Sequence, residues 1–139
     1  MTDLQLAKDN LSGHTISLCK DGSCIFSDAR GIAPMMSFIA DGVDLSGYSV
    51  ADLVVGKAVA MLFVKCGIKQ VYAKTLSVSG REILQRYAVP YEFDVLADVI
   101  INRIGNDICP MEKALADCDD INKAYHILKN KLKSLSNRK

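Results

Sequence analysis

The most nearly continuous run of apolar side chains lies in residues 49–65, SVADLVVGKAVAMLFVK, and it predicts a single helix that is hydrophobic on almost every side. A helix of that kind is buried on more than one face. Ser49 is a suitable N-cap, Asp52 follows three residues later as in a capping box, and Gly67 ends the helix. The same segment contains Lys57, so two charged side chains lie on an otherwise apolar element.

The apolar pattern elsewhere predicts strands between helices. Asp21-Gly22 is a strong hairpin signal between two short strand-like runs, because glycine accepts a positive φ. The run 91–104 is compatible with either a helix or a strand by its spacing, and we predict a strand there. In chain order the predicted elements are helix 3–11, strands 15–19 and 24–27, helix 34–40, helix 49–65, strand 69–76, helix 79–88, strand 91–104, helix 110–116 and helix 121–135.

These elements predict the fold class α/β. The compact arrangement for them is three-layered, with a mixed β-sheet between helices and right-handed strand–helix–strand crossovers. A chain of 139 residues, half of them hydrophobic, fits a single domain spanning residues 1–139.

Charge is nearly balanced along the chain, with a net charge of +1, which argues against a dedicated nucleic-acid binder. The exception is the C-terminus, where basic residues crowd together. We interpret this cluster as a solvated helix face and tail, with an anionic partner as the alternative. Its members are Lys129, Lys131, Lys133, Arg138 and Lys139.

The sequence shows no secretory signal, and its apolar run 58–64 is far shorter than the roughly 20 residues that a membrane span needs. We therefore expect a cytoplasmic protein that does not interact with a membrane. The five cysteines are expected to be reduced thiols in that compartment, and no Cys-x-x-Cys pair or other zinc-ligand spacing appears. No metal and no cofactor is expected.

The first candidate site residues are Asp52 and Lys57, because a charge on a buried helix is costly unless it is paired or opens into a cleft. Lys57 follows Gly56 without the remaining residues of a phosphate loop, yet its ammonium can attract a phosphate as a point charge. Structural roles are the alternative for both residues. Asp52 would then be a capping acid, and the stem of Lys57 would pack along the helix while its ammonium reached water or an acid.

A second candidate group comprises Asn102, Arg103, Cys109 and Glu112, around the start of the predicted helix 110–116. A helix start attracts anions and lowers the pKa of a thiol, so Cys109 is the candidate nucleophile, with only two distant histidines, His14 and His126, as bases. The alternative is that Cys109 or a neighbour caps this helix and Glu112 closes its capping box.

The set formed by Asp52, Gly56-Lys57-Ala58, Asn102-Arg103 and Cys109-Pro110-Met111-Glu112 resembles the domain-of-unknown-function family 1893, over nearly the whole chain. The resemblance implies a cytidine-deaminase-like fold. In zinc deaminases of that fold the ligands come from two helix starts, whose counterparts here are the start of the helix 49–65 and the turn 77–80. Neither of these holds metal ligands, so the resemblance implies a deaminase-like cleft without the activated water.

Together these observations predict a small-molecule-binding domain for a nucleotide-like or phosphorylated ligand, without zinc deaminase activity. One alternative is an enzyme that uses Cys109 as its nucleophile. Another is a structural or interaction module in which a homodimer covers the apolar helix.

Overall fold

The computed structural model of this chain describes residues 2–29, 31–98, 110–115, 117–118 and 120–136. The elements within these ranges are six helices and five strands. They are α1 (Asp3–Asp9), β1 (Ile16–Lys20), β2 (Ser23–Ser27), α2 (Ala33–Ala40), β3 (Ser49–Val55), α3 (Lys57–Lys65), β4 (Gln70–Ser77), α4 (Val78–Arg86), β5 (Tyr91–Ala97), α5 (Pro110–Ala114) and α6 (Ile121–Ser136).

The five strands form one mixed sheet in the order β2-β1-β3-β4-β5. β1 is antiparallel to both of its neighbours, whereas β3, β4 and β5 run parallel. The β3–β4 and β4–β5 connections each pass through a helix, as parallel neighbours require. The chain therefore has an α/β fold with a mixed sheet, as the sequence predicts.

Helices cover the two faces of the sheet unequally. On one face Leu4 and Ala7 of α1, with Leu11 just beyond the helix, form a second core cluster, and α1 packs against β1, β3 and β4. On the other face α3 lies among α2, α4, α5 and α6, and together they bury the main core, which includes the fully buried Phe63, Met61 and Leu128. No helix within the described ranges is long and apolar enough to cross a bilayer.

The prediction of one helix over 49–65 is wrong, since the segment divides at Gly56 into β3 and α3. Gly56 is the N-cap of α3 and has an extended backbone, with φ −105° and ψ −170°. A strand buried on both faces shows a continuous apolar run, as a buried helix does, so periodicity does not separate the two. Asp52 consequently lies within β3 and is not a capping acid.

The predicted β1–β2 hairpin is confirmed, and Asp21 and Gly22 both adopt positive φ, at 52° and 83°. The expectation that all five cysteines are reduced is wrong for two of them. Cys19 and Cys24 are direct register partners in the hairpin and form a disulfide. The hairpin itself brings the two thiols together, because its register places them opposite each other.

Most remaining predictions agree with the structure, with shifted boundaries. α4 starts earlier than predicted, because Ser77 is its N-cap and accepts a hydrogen bond from the backbone N–H of Gly80 at 2.9 Å. The predicted strand 91–104 is confirmed for Tyr91–Ala97, and its last six residues lie outside the described ranges. α6 agrees with the predicted 121–135 to within one residue.

Candidate functional site

Asp52 is a buried carboxyl group in the middle of the sheet, with 7% of its surface exposed. Its register partners are Ile16 on β1 and Ala73 on β4, both of them buried and apolar. Burial raises the pKa of Asp52 to about 8, against the smaller opposite effect of the backbone N–H groups of Val54 and Leu53. Asp52 therefore carries a proton near neutral pH and can both donate and accept hydrogen bonds.

Two residues beyond Asp52 along β3, a largely exposed row of side chains crosses the sheet. Val54, Thr75 and Val95 are register partners across β3, β4 and β5. Val54 is 43% exposed and Val95 is 53% exposed, while Thr75 is half-buried. This row, named the carboxyl-edge row below, lies near the end of the three parallel strands, where ligands usually bind in open α/β sheets.

The N-terminus of α3 is capped by a carboxylate from another part of the chain. Glu112 on α5 accepts hydrogen bonds from the backbone N–H groups of Lys57, at 2.7 Å, and Ala58, at 3.0 Å. Burial raises the pKa of Glu112, against the opposite effects of these two N–H groups and of the Lys57 charge. Since Gly56 has no capping side chain, Glu112 replaces the missing N-cap and connects α5 to α3.

The starts of α3 and α4 lie against each other. A Cβ at Gly80 would come within about 3.0 to 3.1 Å of the backbone of Val55 and Gly56, so only glycine fits there without a shift. The start of α4 therefore packs directly on the backbone at Gly56. Two helix starts, one capped by Glu112 and one by Ser77, therefore converge beside the ends of β3 and β4.

His14 lies at the same edge of the sheet, because Thr15, the next residue, accepts a hydrogen bond from Leu53 of β3 at 3.1 Å. Nδ1 of His14 is 2.7 Å from Oδ1 of Asp28, and the imidazole stacks on the Phe26 ring at 4.8 Å. An acid on Nδ1 fixes the orientation of a histidine ring. The sequence suggests His14 as a base but gives no sign of Asp28 as its partner.

The structure describes three of the six predicted site residues, and it brings Lys57 and Glu112 into contact, with Asp52 in the strand that precedes them. Asp52 is in β3, Lys57 is the first residue of α3, and Glu112 contacts the backbone of Lys57. Glu112 caps α3, which the sequence does not predict, because the two are 55 residues apart. Asn102, Arg103 and Cys109 lie outside the described residues.

Among the residues that the structure describes, no group of three or more His, Cys, Asp or Glu side chains lies close enough together to hold a metal ion. The two helix starts hold Gly56, Lys57 and Ala58 on one side and Ser77, Val78 and Ser79 on the other. The polar side chains at this end of the sheet include the carboxyl of Asp52, the ammonium of Lys57 and the hydroxyls of Ser77 and Ser79.

Comparison with known proteins finds one family model, the domain of unknown function DUF1893 (TM1506), which matches residues 5–132. Among solved structures, the crystal structure of a DUF1893 family protein, TM1506 from Thermotoga maritima, is similar, with a TM-score of 0.84 and 22% sequence identity. The match covers 94% of this chain and 91% of that chain. No curated protein matches. At this identity the similarity establishes a shared fold.

Proposed function

The chain belongs to the DUF1893 family, and we propose that it binds a small nucleotide-like or otherwise phosphorylated molecule at the carboxyl ends of β3 and β4. The observation that supports this proposal best is the buried Asp52 carboxyl, which lies in β3 two residues before an exposed row of the sheet. A buried acid in an otherwise apolar strand is costly, and it has no capping role to explain it. Acids with a strongly shifted pKa are common in functional sites.

The chemistry of Asp52 points to the class of ligand. A protonated carboxyl presents one donor and one acceptor side by side, which matches the paired acceptor and donor on the edge of a heterocyclic base. The carboxyl-edge row offers an apolar surface for the face of such a ring. Small-molecule sites combine apolar walls with a few well-placed polar groups in this way.

Lys57 supplies the positive charge that a phosphorylated ligand needs. It is the first residue of α3, two residues beyond the end of β3, so its backbone lies at the carboxyl end of the strand that contains Asp52. Glu112 already accepts from the N–H groups at this helix start, and we therefore assign phosphate attraction to the Lys57 side chain. Asn102, Arg103 and the start of the helix at 110 remain the sequence-based proposal for completing the anion site.

A cytidine-deaminase-like ancestry of this cleft is part of the same proposal. It is supported by the strand order β2-β1-β3-β4-β5 and by the two converging helix starts. The start of α4 lies in the turn 77–80 that the sequence resemblance gives, whereas the start of α3 lies at Lys57 and not at the start of the segment 49–65. The residues at those starts are not zinc ligands. We therefore propose binding without zinc-dependent deamination.

A thermal-shift panel of nucleoside monophosphates, ribose 5-phosphate and inorganic phosphate tests the proposal. A ligand at about 100 times its Kd adds roughly 2.7 kcal/mol to the free energy of unfolding and raises Tm accordingly. Lys57→Met should abolish the response to phosphorylated members. Lys69→Met, which removes an exposed lysine just before the opposite end of β4, is the matched control and should respond like the wild type. A wild type without any response, or a Lys57→Met variant with a full one, would contradict the proposal.

Two alternative functions remain predictions with simple tests. An enzyme with Cys109 as its nucleophile requires this thiol to be alkylated at neutral pH much faster than Cys66, whose thiol pKa is raised by burial. Equal rates would contradict it. A dimeric interaction module requires a homodimer in solution, and light scattering that shows a monomer at high concentration would contradict that function.

A further inference from the structure

A groove between α2 and α6 lies apart from the candidate site, since neither helix supplies Asp52, Lys57 or Glu112. The two helices both pack against α3 and leave an open space of about 460 Å³ between them. Its lining residues are Ala33, Met36, Ser37 and Ala40 on α2, and Tyr125, Leu132, Lys129 and Lys133 on α6. We name it the α2–α6 groove.

The α2 wall of this groove is smooth and uncharged. Ala33, Ser37 and Ala40 are exposed and follow each other at i, i+4 and i+7, so they form one row along the helix. The helix as a whole, APMMSFIA, has no charged residue. Small side chains in such a row let the backbone of a second helix approach closely.

The α6 wall is basic. α6 contains four lysines and no acidic residue, although the whole chain has a net charge of only +1. Lys129 and Lys133 are exposed, one helical turn apart, and both line the groove, with the half-buried Tyr125 and Leu132 beside them. Part of the basic C-terminal cluster noted in the sequence therefore borders an apolar surface and is more than a solvated face.

We propose that the α2–α6 groove binds an acidic amphipathic helix of a partner protein. The apolar floor accepts side chains at i, i+3, i+4 and i+7 of such a helix, and the lysines attract acidic residues along its flank. An apolar centre with a charged rim is the usual anatomy of a protein interface. A bilayer fits less well, because apolar groups that insert into a membrane protrude from the surface, whereas these lie in a groove.

The test uses a synthetic peptide of about 18 residues with leucine at i, i+3, i+4 and i+7 and glutamate and alanine elsewhere, which is long enough to form a helix. A second peptide has lysine in place of each glutamate. Binding to the full-length protein is measured by fluorescence anisotropy, and helix formation by circular dichroism. The glutamate peptide should bind and gain helicity, while the lysine peptide should not bind.

Two variants locate the binding site. Lys129→Glu should weaken binding roughly three- to tenfold, since it reverses one charge at the rim of the groove. Lys123→Glu is the matched control, because Lys123 is an exposed lysine of α6 that does not line the groove. Ala40→Gln fills the α2 wall at an exposed position without adding charge and should also weaken binding. Circular dichroism of each free variant shows that it is folded.

Three results would overturn the proposal. One is no binding of the glutamate peptide up to about 1 mM. A second is equal weakening by Lys129→Glu and Lys123→Glu, which would indicate general attraction to a basic helix. A third is tight binding of decanoate without binding of the peptide, which would assign the groove to an anionic amphiphile.

Discussion

The protonated state of Asp52 makes a quantitative prediction about stability and pH. The folded protein holds the proton up to a pKa of about 8, whereas the unfolded chain releases it near the ordinary value of 3.8. Between these values the folded state binds one more proton than the unfolded state, so stability falls as the pH rises. The loss of stability is complete above the pKa of Asp52 in the folded state and absent below its pKa in the unfolded chain.

The magnitude follows from the pKa difference of about four units at 1.36 kcal/mol per unit, which gives roughly 5 to 6 kcal/mol over the whole interval. At about pH 7, which is roughly three pH units above the unfolded pKa, the protein has already lost about 4 kcal/mol of unfolding free energy. This is a large part of the 5 to 15 kcal/mol that typically stabilises a domain. Asp52→Asn removes the titration and keeps the shape, so its stability relative to the wild type should increase by these amounts.

The assay is urea unfolding of both proteins at several pH values from about 4 to about 9, with the difference between them plotted against pH. Glu112 changes the wild type in the same direction, because burial also raises its pKa, but its contribution cancels in the difference. Asp44→Asn is the control, since the Ser46 hydrogen bonds lower the pKa of the exposed Asp44 and its effect has the opposite sign. A difference between wild type and Asp52→Asn that stays constant across this range would refute the assignment of a neutral buried acid.

Three further predictions concern contacts that stabilise the fold. Glu112→Ala leaves the N–H groups of Lys57 and Ala58 without their acceptor and should cost about 1 to 3 kcal/mol of unfolding free energy. Glu112→Gln should cost less. A loss no larger than that of the exposed control Glu82→Ala would show that the cap is unimportant. Gly80→Ala should destabilise by about 1 to 3 kcal/mol in the same urea assay, because its Cβ meets backbone at 3.0 Å, and a gain of stability from the better helix former would contradict this packing. Thiol titration of the unfolded protein should find two fewer thiols without reductant than with it, because Cys19 and Cys24 are joined. Reduction of this disulfide should lower the free energy of unfolding by about 2 kcal/mol, since it closes a short loop. Equal thiol counts would mean that the two residues are not joined.

The fold was predictable from the sequence wherever local signals are decisive. The Asp21-Gly22 turn specifies the hairpin, since both residues adopt the positive φ that such turns require. The segment 49–65 was not predictable in this way, because a central strand and a buried helix are both uniformly apolar there. Gly56 is the residue that divides the two, and its extended backbone depends on its position between sheet and helix. The expected compartment favours reduced thiols, whereas the disulfide depends on the hairpin register that places Cys19 opposite Cys24.

The candidate site was predictable as a set of residues and not as a set of roles. Asp52 and Lys57 are candidates because charges are rare on an apolar segment. This holds whether the segment is a strand or a helix. The role of Glu112 depends on a contact between α5 and the start of α3, which no local pattern encodes. This contact also changes what the helix start can do. Its N–H groups at Lys57 and Ala58 already bind a carboxylate, so an anionic ligand at this edge must use the Lys57 charge or displace Glu112. The two routes differ in one measurement, because displacement predicts that Glu112→Gln increases the affinity for phosphate, whereas attraction by Lys57 alone predicts a much smaller change.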